Sequence, residues 1–194
     1  ITPSRVVPDF VRQCGVKGIK NIIIESAGFS EEGEEGSRLQ EEVHTYAREH
    51  GIRFLGPNCL GVLDTRSRFC CFFGIIPGKY DDAFSNVGTI SYVIQSGGVG
   101  ALIMDSFQTD VTDVNKMVSI GNKEDVDEAD LIDFFDREPD TEVIGMYLES
   151  IKNGRKLLEA ARKSQKPIMI FKVGRTSEGA RAALSHTAGM ANND

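Results

Sequence analysis

Short apolar runs alternate with amphipathic helical patterns along almost the whole chain. An apolar stripe at residues 7–14 precedes the apolar run 21–25, and a second stripe at 39–47 precedes the run 52–55. Apolar residues at helical spacing predict a helix that packs on a core, whereas a short continuous apolar run predicts a buried strand. The first third of the chain is therefore predicted to fold as helix, strand, helix, strand.

The alternation resumes in the second half of the chain. Four further strands are predicted, at residues 87–95, 114–120, 142–148 and 167–173, with helical patterns between them. Helical crossovers connect strands that run in the same direction. The pattern therefore predicts an α/β fold, with parallel sheets wound by right-handed crossovers and helices on both faces.

A stretch without clear periodicity separates the two halves. It runs from about residue 64 to residue 85 and contains the turn signal Pro77-Gly78. We therefore expect a first domain at residues 1–66, a linker at 67–85 and a second domain at 86–194. The chain begins with Ile1 in place of an initiator methionine, which suggests an excised or renumbered segment.

Charge and composition restrict the partners of this chain. Its 194 residues are 40% hydrophobic and 26% charged, which is typical of a folded globular protein. A formal net charge of −7 argues against a broad basic surface for nucleic acid or an anionic membrane. No apolar run has the length of a membrane span, and the four cysteines include no C-x-x-C pair. We expect a cytoplasmic protein that binds neither nucleic acid nor membrane.

Glycine-rich and polar segments follow the predicted strands. Because ligands bind at the carboxyl ends of strands in open parallel sheets, four segments are candidates: Ser96-Gly97-Gly98, Gly121-Asn122-Lys123, Glu149 and the loop that holds His186. The first segment opens a predicted helix, where glycines let a ligand approach backbone N–H groups at the positive end of the helix dipole. It is a candidate phosphate site, although two glycines also suit a tight strand-to-helix turn.

His186 is the candidate for covalent chemistry. It lies among small residues in a loop after the last predicted strand, so its ring is free to meet a ligand. If Glu149 accepts a hydrogen bond from one ring nitrogen, the other nitrogen keeps a lone pair that can attack phosphorus. Taken singly, each residue also fits an ordinary surface position, and their joint placement favours a site. Lys172, Arg175 and Arg181 flank the loop and are secondary candidates for neutralising phosphate.

Other reactions fit these residues less well. No second histidine and no cysteine stands at metal-ligand spacing near His186, so no metal site is expected. Ile94 occupies the position where the G-x-S-x-G nucleophile elbow requires glycine, which argues against Ser-His-Asp hydrolysis.

Five motifs occur in order along the chain: Gly56-Pro57-Asn58-Cys59-Leu60-Gly61, Gln95-Ser96-Gly97-Gly98, Gly121-Asn122-Lys123-Glu124-Asp125-Val126-Asp127, Tyr147-Leu148-Glu149 and residues 179–187 around His186. Together they resemble the nucleoside-diphosphate-forming acyl-CoA synthetases, relatives of the α subunit of succinyl-CoA synthetase. The resemblance covers nearly the whole chain, from about Pro8. It implies the C-terminal part of a Rossmann-type CoA-binding domain, followed by a flavodoxin-like, doubly wound parallel sheet.

The resemblance also implies roles for the candidate residues. His186 is the residue that it implies to be phosphorylated transiently, with support from Glu149. Asn58 and its loop are implied to lie near the acyl group. The implied cofactor-binding residues are Ser96, Gly97, Gly98, Asn58, Gly121 and Asn122.

The implied reaction converts acyl-CoA and phosphate, through an acyl phosphate, into a free carboxylic acid and a phosphohistidine. The phosphohistidine then passes its phosphate to ADP or GDP. The implied cofactors are CoA, phosphate and the Mg-bound nucleotide. Nucleotide binding needs an ATP-grasp domain that this chain lacks and that a longer parent or a partner subunit would supply. An oligomer is expected.

Two other functions remain open from the sequence. One is an acyl-CoA-sensing regulatory region, as in protein lysine acetyltransferases that carry a similar synthetase-like region. The phosphorylated histidine is often lost in those proteins, so the presence of His186 together with Glu149 favours the enzyme. The other is a plain flavodoxin-like binding domain, which requires the motifs to be coincidental.

Overall fold

The computed structural model describes residues 1–73, 87–106 and 113–174. In these residues the chain forms one parallel sheet of two strands and one mixed sheet of six strands, with α-helices packed on them. The fold class is therefore α/β, as the alternation of strand and helix patterns predicts. No helix in this part of the chain combines the length and the apolar character that crossing a membrane requires.

The two-stranded unit contains, in chain order, α1 (Val7–Val16), β1 (Asn21–Ile23), α2 (Glu34–His50) and β2 (Arg53–Leu55). Short 3₁₀ helices at Ser4–Val6 and Ser30–Glu32 precede the two α-helices. α2 ends at Gly51, which adopts the left-handed conformation that glycine tolerates best. Both helices place apolar side chains on one core, formed by Val7, Val11, Ile24, Phe29, Leu39, Val43, Ala47, Ile52 and Phe54.

The six-stranded unit contains the remaining elements: β3 (Val62–Asp64), β4 (Phe69–Cys70), β5 (Ile90–Ile94), α3 (Gly97–Ser106), β6 (Val114–Ser119), α4 (Glu128–Arg137), β7 (Val143–Leu148), α5 (Gly154–Lys163) and β8 (Ile168–Lys172). The strand order is β4-β3-β6-β5-β7-β8. β5 pairs in parallel with β6 and β7, and β7 pairs in parallel with β8. The order β6-β5-β7-β8 is that of the first four strands of a flavodoxin-like sheet.

Helices cover both faces of this sheet. On one face, Val93 of β5 packs in a core with Ile132 and Phe135 of α4 and with Leu157 of α5. On the other face, the neighbouring Ile94 packs in a separate core with Met104 of α3. Successive residues of a strand point to opposite faces, so a strand that is buried on both sides reads as a continuous apolar run.

The short strands β3 and β4 were not predicted. β3 pairs antiparallel with β6 and with β4, so the sheet is mixed at this end. The two strands contain only three and two residues, which is too short for an apolar period to show. β3 lies within the first predicted domain and β4 within the predicted linker, yet both belong to the second sheet. The division at residues 67–85 stays a prediction.

Backbone hydrogen bonds between two segments join the two-stranded unit to the six-stranded unit. The joining loop, residues 121–126, follows β6 and runs beside the chain after β2. Its backbone N–H groups at Asn122, Glu124 and Val126 donate to the carbonyl oxygens of Pro57, Gly56 and Phe54, at 2.9, 3.1 and 3.2 Å. These three bonds place the end of the two-stranded unit against the carboxyl end of β6.

Candidate functional site

Four parallel strands end at one edge of the six-stranded sheet. Since β5, β6, β7 and β8 run in the same direction, the segments that follow them lie along a common edge. The structure describes the segments after β5, β6 and β7, which hold three of the predicted groups of site residues. His186, together with Arg175 and Arg181, lies outside the described residues.

The predicted phosphate site, Ser96-Gly97-Gly98, is called the phosphate turn below and forms the start of α3. The helix begins at Gly97, and the carbonyl oxygen of Ser96 accepts the N–H of Gly100 at 3.1 Å. Gly98 is exposed, and a Cβ atom built on it would have only Ser96 Oγ nearby, at 3.8 Å. A helix start has N–H groups without helical partners and carries the positive end of the dipole. The open space above Gly98 therefore fits an anion such as phosphate.

Glu149 follows β7 and is half-buried. Its backbone N–H donates to Oε1 of Gln95 at 2.9 Å, and the N–H of Ser150 donates to the same oxygen at 3.1 Å. Gln95 is the residue just before the phosphate turn, and its own N–H donates to the carbonyl oxygen of Tyr147 at 3.0 Å. The Gln95 side chain thus fixes the main chain at Glu149 beside the start of α3.

The charge of Glu149 acts on its neighbour Tyr147. Burial raises the pKa of the Tyr147 hydroxyl, and the negative charge of Glu149 raises that pKa further. The Tyr147 ring also stacks on Phe171 of β8, with ring centroids 5.7 Å apart. Glu149 is therefore bonded through its main chain to Gln95, and its charge is close enough to act on the Tyr147 hydroxyl.

Lys123 brings a buried positive charge to the same edge. Its side chain is 0% exposed, and its Nζ lies 3.0 Å from Oε2 of Glu128, itself only 3% exposed. The Nζ also donates to the carbonyl oxygen of Ser150. Burial lowers the pKa of the Lys123 ammonium, and the Glu128 carboxylate opposes that shift. Lys123 has φ of 46°, a left-handed conformation that is uncommon outside glycine.

The structure brings Asn58, Gly121 and Asn122 together where the loops cross. Asn58 Nδ2 donates to Oδ1 of Asn122 at 3.3 Å. Gly121 has φ of +53°, and a Cβ atom there would lie 2.3 Å from the carbonyl oxygens of Pro57 and Asn58. Only glycine permits this approach. Gly121 therefore allows close packing of two backbone segments. The cofactor-binding role of Asn58, Gly121 and Asn122 stays a prediction.

Asn122 is also the centre of a polar network into the two-stranded unit. Its Nδ2 donates to Oε2 of Glu31 at 2.5 Å and to Oε1 of Gln40 at 2.9 Å. Next to it, Glu124 accepts from Gln40 Nε2 at 2.6 Å and contacts Nδ1 of His44 at 3.1 Å. This network connects the joining loop to the two-stranded unit, and the sequence offered no signal for it because its members are far apart along the chain.

The chain between Gly56 and Gly61 lies between the two sheets. It follows β2, and its Leu60 N–H donates to the Ser119 hydroxyl at the end of β6, at 2.9 Å. The Leu60 side chain also packs 3.5 Å from the position of a Cβ on Gly97. A substrate held by this loop would therefore lie next to the phosphate turn.

Gln95 was not identified from the sequence as a site residue, and Lys123 was named only as the last residue of the candidate segment Gly121-Asn122-Lys123. Both stand inside the quoted motifs, two residues from a glycine of the motif, so their positions at strand ends were the available signal. Their role depends on which backbone groups they contact, and a sequence pattern does not show that. In the described part of the chain, no three His, Cys, Asp or Glu side chains gather in a way that would hold a metal ion.

The strand order β6-β5-β7-β8, with helices packed on both faces of the sheet, defines a flavodoxin-like α/β domain. Residues 87–194 match the model of the succinyl-CoA ligase-like flavodoxin domain, and residues 1–65 match a CoA-binding domain model. The chain belongs to the succinyl-CoA ligase-like family, which confirms the resemblance drawn from the five motifs.

The relatives are longer proteins. ADP-forming acetate–CoA ligase II of Archaeoglobus fulgidus is 40% identical over 194 residues, which are 99% of this chain and 28% of the relative. The α subunit of ADP-forming acetate–CoA ligase I of Pyrococcus furiosus is 37% identical over 100% of this chain and 41% of its own length. The chain thus spans less than half of the relatives it matches.

A solved structure has the same fold. It is acetyl-coenzyme A synthetase 1 of Ca. Korarchaeum cryptofilum in complex with phosphate and ADP, with a TM-score of 0.85 and 37% sequence identity. The match covers 99% of this chain and 40% of that one.

Proposed function

We propose that this chain supplies the CoA-binding and phosphohistidine-forming parts of an ADP-forming acyl-CoA synthetase. The proposal is supported mainly by the hydrogen bonds from the backbone of Glu149 and Ser150 to Gln95, the residue just before Ser96-Gly97-Gly98. The ligase names of the relatives and the phosphate and ADP in the similar solved structure support the same reaction.

In this proposal the N–H groups at Ser96, Gly97 and Gly98 hold inorganic phosphate for attack on the acyl-CoA thioester. The loop 56–61 presents the thioester beside this turn. Attack forms an acyl phosphate and releases CoA as the thiol. The turn then keeps the phosphoryl oxygens in place, because N–H groups aimed at developing negative charge stabilise it without rearrangement.

His186 takes the phosphoryl group in the next step. One ring nitrogen attacks phosphorus, the bond to the carboxylate oxygen breaks, and the free acid leaves. Glu149 accepts the hydrogen bond of the other ring N–H, which fixes the tautomer and stabilises the positive ring that attack creates. Transfer of the phosphoryl group to ADP restores the histidine. Every step is reversible.

The last transfer needs a nucleotide site beyond this chain. We propose that an ATP-grasp domain, from a longer parent protein or a partner subunit, supplies Mg-bound ADP. The name of the Pyrococcus furiosus relative, a subunit alpha, supports the subunit arrangement. The substrates in this proposal are an acyl-CoA and a small carboxylic acid, and the protein acts as an oligomer in the cytoplasm.

The test is a labelling experiment on the intact protein. With acetyl-CoA and ³²P-phosphate, we expect an acid-labile, base-stable label that peptide mapping assigns to His186. The His186→Asn variant is expected to carry none. Label on another residue, or label retained in the variant, would refute the proposal.

Glu149→Gln tests the supporting acid in the same assay. We expect labelling to be about 10- to 100-fold slower, since a partner that orients a reacting imidazole has been removed. Glu142→Gln is the matched control, because Glu142 is an exposed carboxylate just before β7, at the opposite end of the strand. Melting temperatures of both variants should stay near that of wild type. Equal losses of labelling and of stability in Glu149→Gln would indicate a structural role instead.

A further inference from the structure

Three polar groups of Ser150 form hydrogen bonds with two residues, Gln95 and Lys123, that come from different loops. Its backbone N–H donates to Gln95 Oε1 at 3.1 Å, and its hydroxyl accepts from Gln95 Nε2 at 2.9 Å. Its carbonyl oxygen accepts from Lys123 Nζ. All the polar groups of Ser150 are therefore bonded to Gln95 or Lys123, and Glu149, one residue earlier, is bonded to Gln95 as well.

This arrangement is more specific than strand pairing requires. The ladder between β5 and β7 ends at Ile94 and Tyr147, so ordinary pairing would leave residues 149 and 150 to find other partners. The Gln95 side chain hydrogen-bonds two residues beyond the ladder, Glu149 and Ser150. Since the Gln95 backbone leads directly into Ser96, one residue sets both the start of α3 and the main chain at Glu149.

Lys123 is an unusual choice for a purely structural contact. Burying an ion pair is costly, and apolar residues of similar volume often serve stability as well or better. Here the wholly buried ammonium pairs with Glu128 and is directed at a backbone carbonyl beyond β7. A methionine in its place would fill the volume but leave the Ser150 carbonyl without this donor.

We propose that Gln95 and Lys123 are positioning residues that hold the main chain at residues 149–150 and thereby set the position of Glu149 beside the start of α3. This proposal rests on the proposed function. Neither residue touches the reacting atoms. Their effect is on the geometry of Glu149 relative to the phosphate turn, so it belongs to the phosphoryl-transfer step and not to the binding of CoA.

The first variant is Gln95→Met. It keeps the side-chain length and removes both the acceptor for two N–H groups and the donor to the Ser150 hydroxyl. In the intact protein with saturating acetyl-CoA and phosphate, we expect His186 labelling to slow about 10- to 100-fold, as misplacement of a supporting group by about 1 Å does. The KM for acetyl-CoA should not change. Gln13→Met, the same substitution on exposed α1, is the control and should behave as wild type.

The second variant replaces the ion pair as a whole. Lys123→Met alone leaves Glu128 buried without its partner, so it is combined with Glu128→Met to keep the core neutral and filled. The double variant is expected to fold and to show a slowed labelling step like that of Gln95→Met, again with an unchanged KM for acetyl-CoA. Unchanged labelling rates in both folded variants would overturn the proposal, as would rates that fall only in proportion to the folded fraction.

Crystal structures of wild type and Gln95→Met separate this proposal from the proposed function. If wild type carries no label on His186, the proposed function fails, but the hold on residues 149–150 is still tested. A Glu149 Cα displaced by about 1 Å or more in the variant supports the positioning role. A Glu149 main chain that superposes on wild type overturns it.

Discussion

Two glycines of the candidate site are needed for different physical reasons. Gly121 has φ of +53° and touches two carbonyl oxygens of the loop after β2, so it cannot accept a side chain without moving the backbone. Gly98 has open space where a Cβ would stand. The first glycine therefore serves the fold, whereas the second leaves room for an anion.

This difference predicts opposite outcomes for the same substitution. Gly121→Ala should lower the free energy of unfolding by about 2–4 kcal/mol, from the left-handed backbone and the steric overlap together. Gly98→Ala should leave stability unchanged or slightly higher, because alanine favours helix. It should raise the KM for phosphate instead. Denaturant melts and steady-state kinetics measure the two effects, and a destabilised Gly98→Ala with normal phosphate kinetics would contradict this assignment.

Sequence patterns predicted the residues at the edge better than the contacts among them. Glycine at 97 and 98 and a carboxylate at 149 could be placed at strand ends, because apolar runs mark where strands stop. The bridge through Gln95 and the crossing of Asn58 with Asn122 could not be predicted, since they depend on the distances between loops that are 54 and 64 residues apart in sequence. His186 is outside the described residues, so its place at this edge stays a prediction.

The predicted strands of the second half agree with β5, β6, β7 and β8 to within a few residues at each end. β5, β6 and β7 are largely buried, and burial on both faces produces long apolar runs, whereas β8 has an apolar run although Met169, Ile170 and Phe171 are exposed. β3 and β4 lack such runs and were missed. Local composition thus predicted the central strands of the sheet, while the antiparallel end of the sheet depends on pairing with β6.

Helix α4 begins with a strong cap at the end of the joining loop. Asp127 accepts from the N–H groups of Ala129 and Asp130, both at 3.0 Å, and Asp130 bonds back to the N–H of Asp127. Lys156 of α5 contacts the same carboxylate at 2.8 Å. Burial opposes ionisation of Asp127, but the Lys156 and backbone hydrogen bonds win, so its pKa is lowered.

The cap predicts a substitution series. Asp127→Ala should cost about 0.5–2 kcal/mol of unfolding free energy at neutral pH, whereas Asp127→Asn, which can still cap, should cost less. Because the folded pKa lies below the unfolded value, the ionic contribution is complete above about pH 5 and is lost as pH falls through the folded pKa. Acid titration of stability should therefore be steeper for wild type than for Asp127→Asn. Identical acid profiles would show that the Asp127 charge contributes nothing.

Loops from both sheets meet at the candidate site. The two-stranded unit delivers the loop 56–61, and the six-stranded unit delivers the phosphate turn, the joining loop and Glu149. The joining loop donates three backbone hydrogen bonds to the segment 54–57, and its Asn122 and Glu124 side chains bond to Glu31 and Gln40 of the two-stranded unit. A thioester bound on one unit would thus meet a phosphate bound on the other without a large movement of either.

The most direct measurement is a crystal structure of the intact protein with phosphate bound. We predict phosphate within about 3 Å of the N–H groups at Gly97 and Gly98, and the His186 ring within about 3 Å of the Glu149 carboxylate with its other nitrogen facing the phosphorus. Phosphate bound elsewhere, with the His186 ring directed away from both Glu149 and the start of α3, would contradict it.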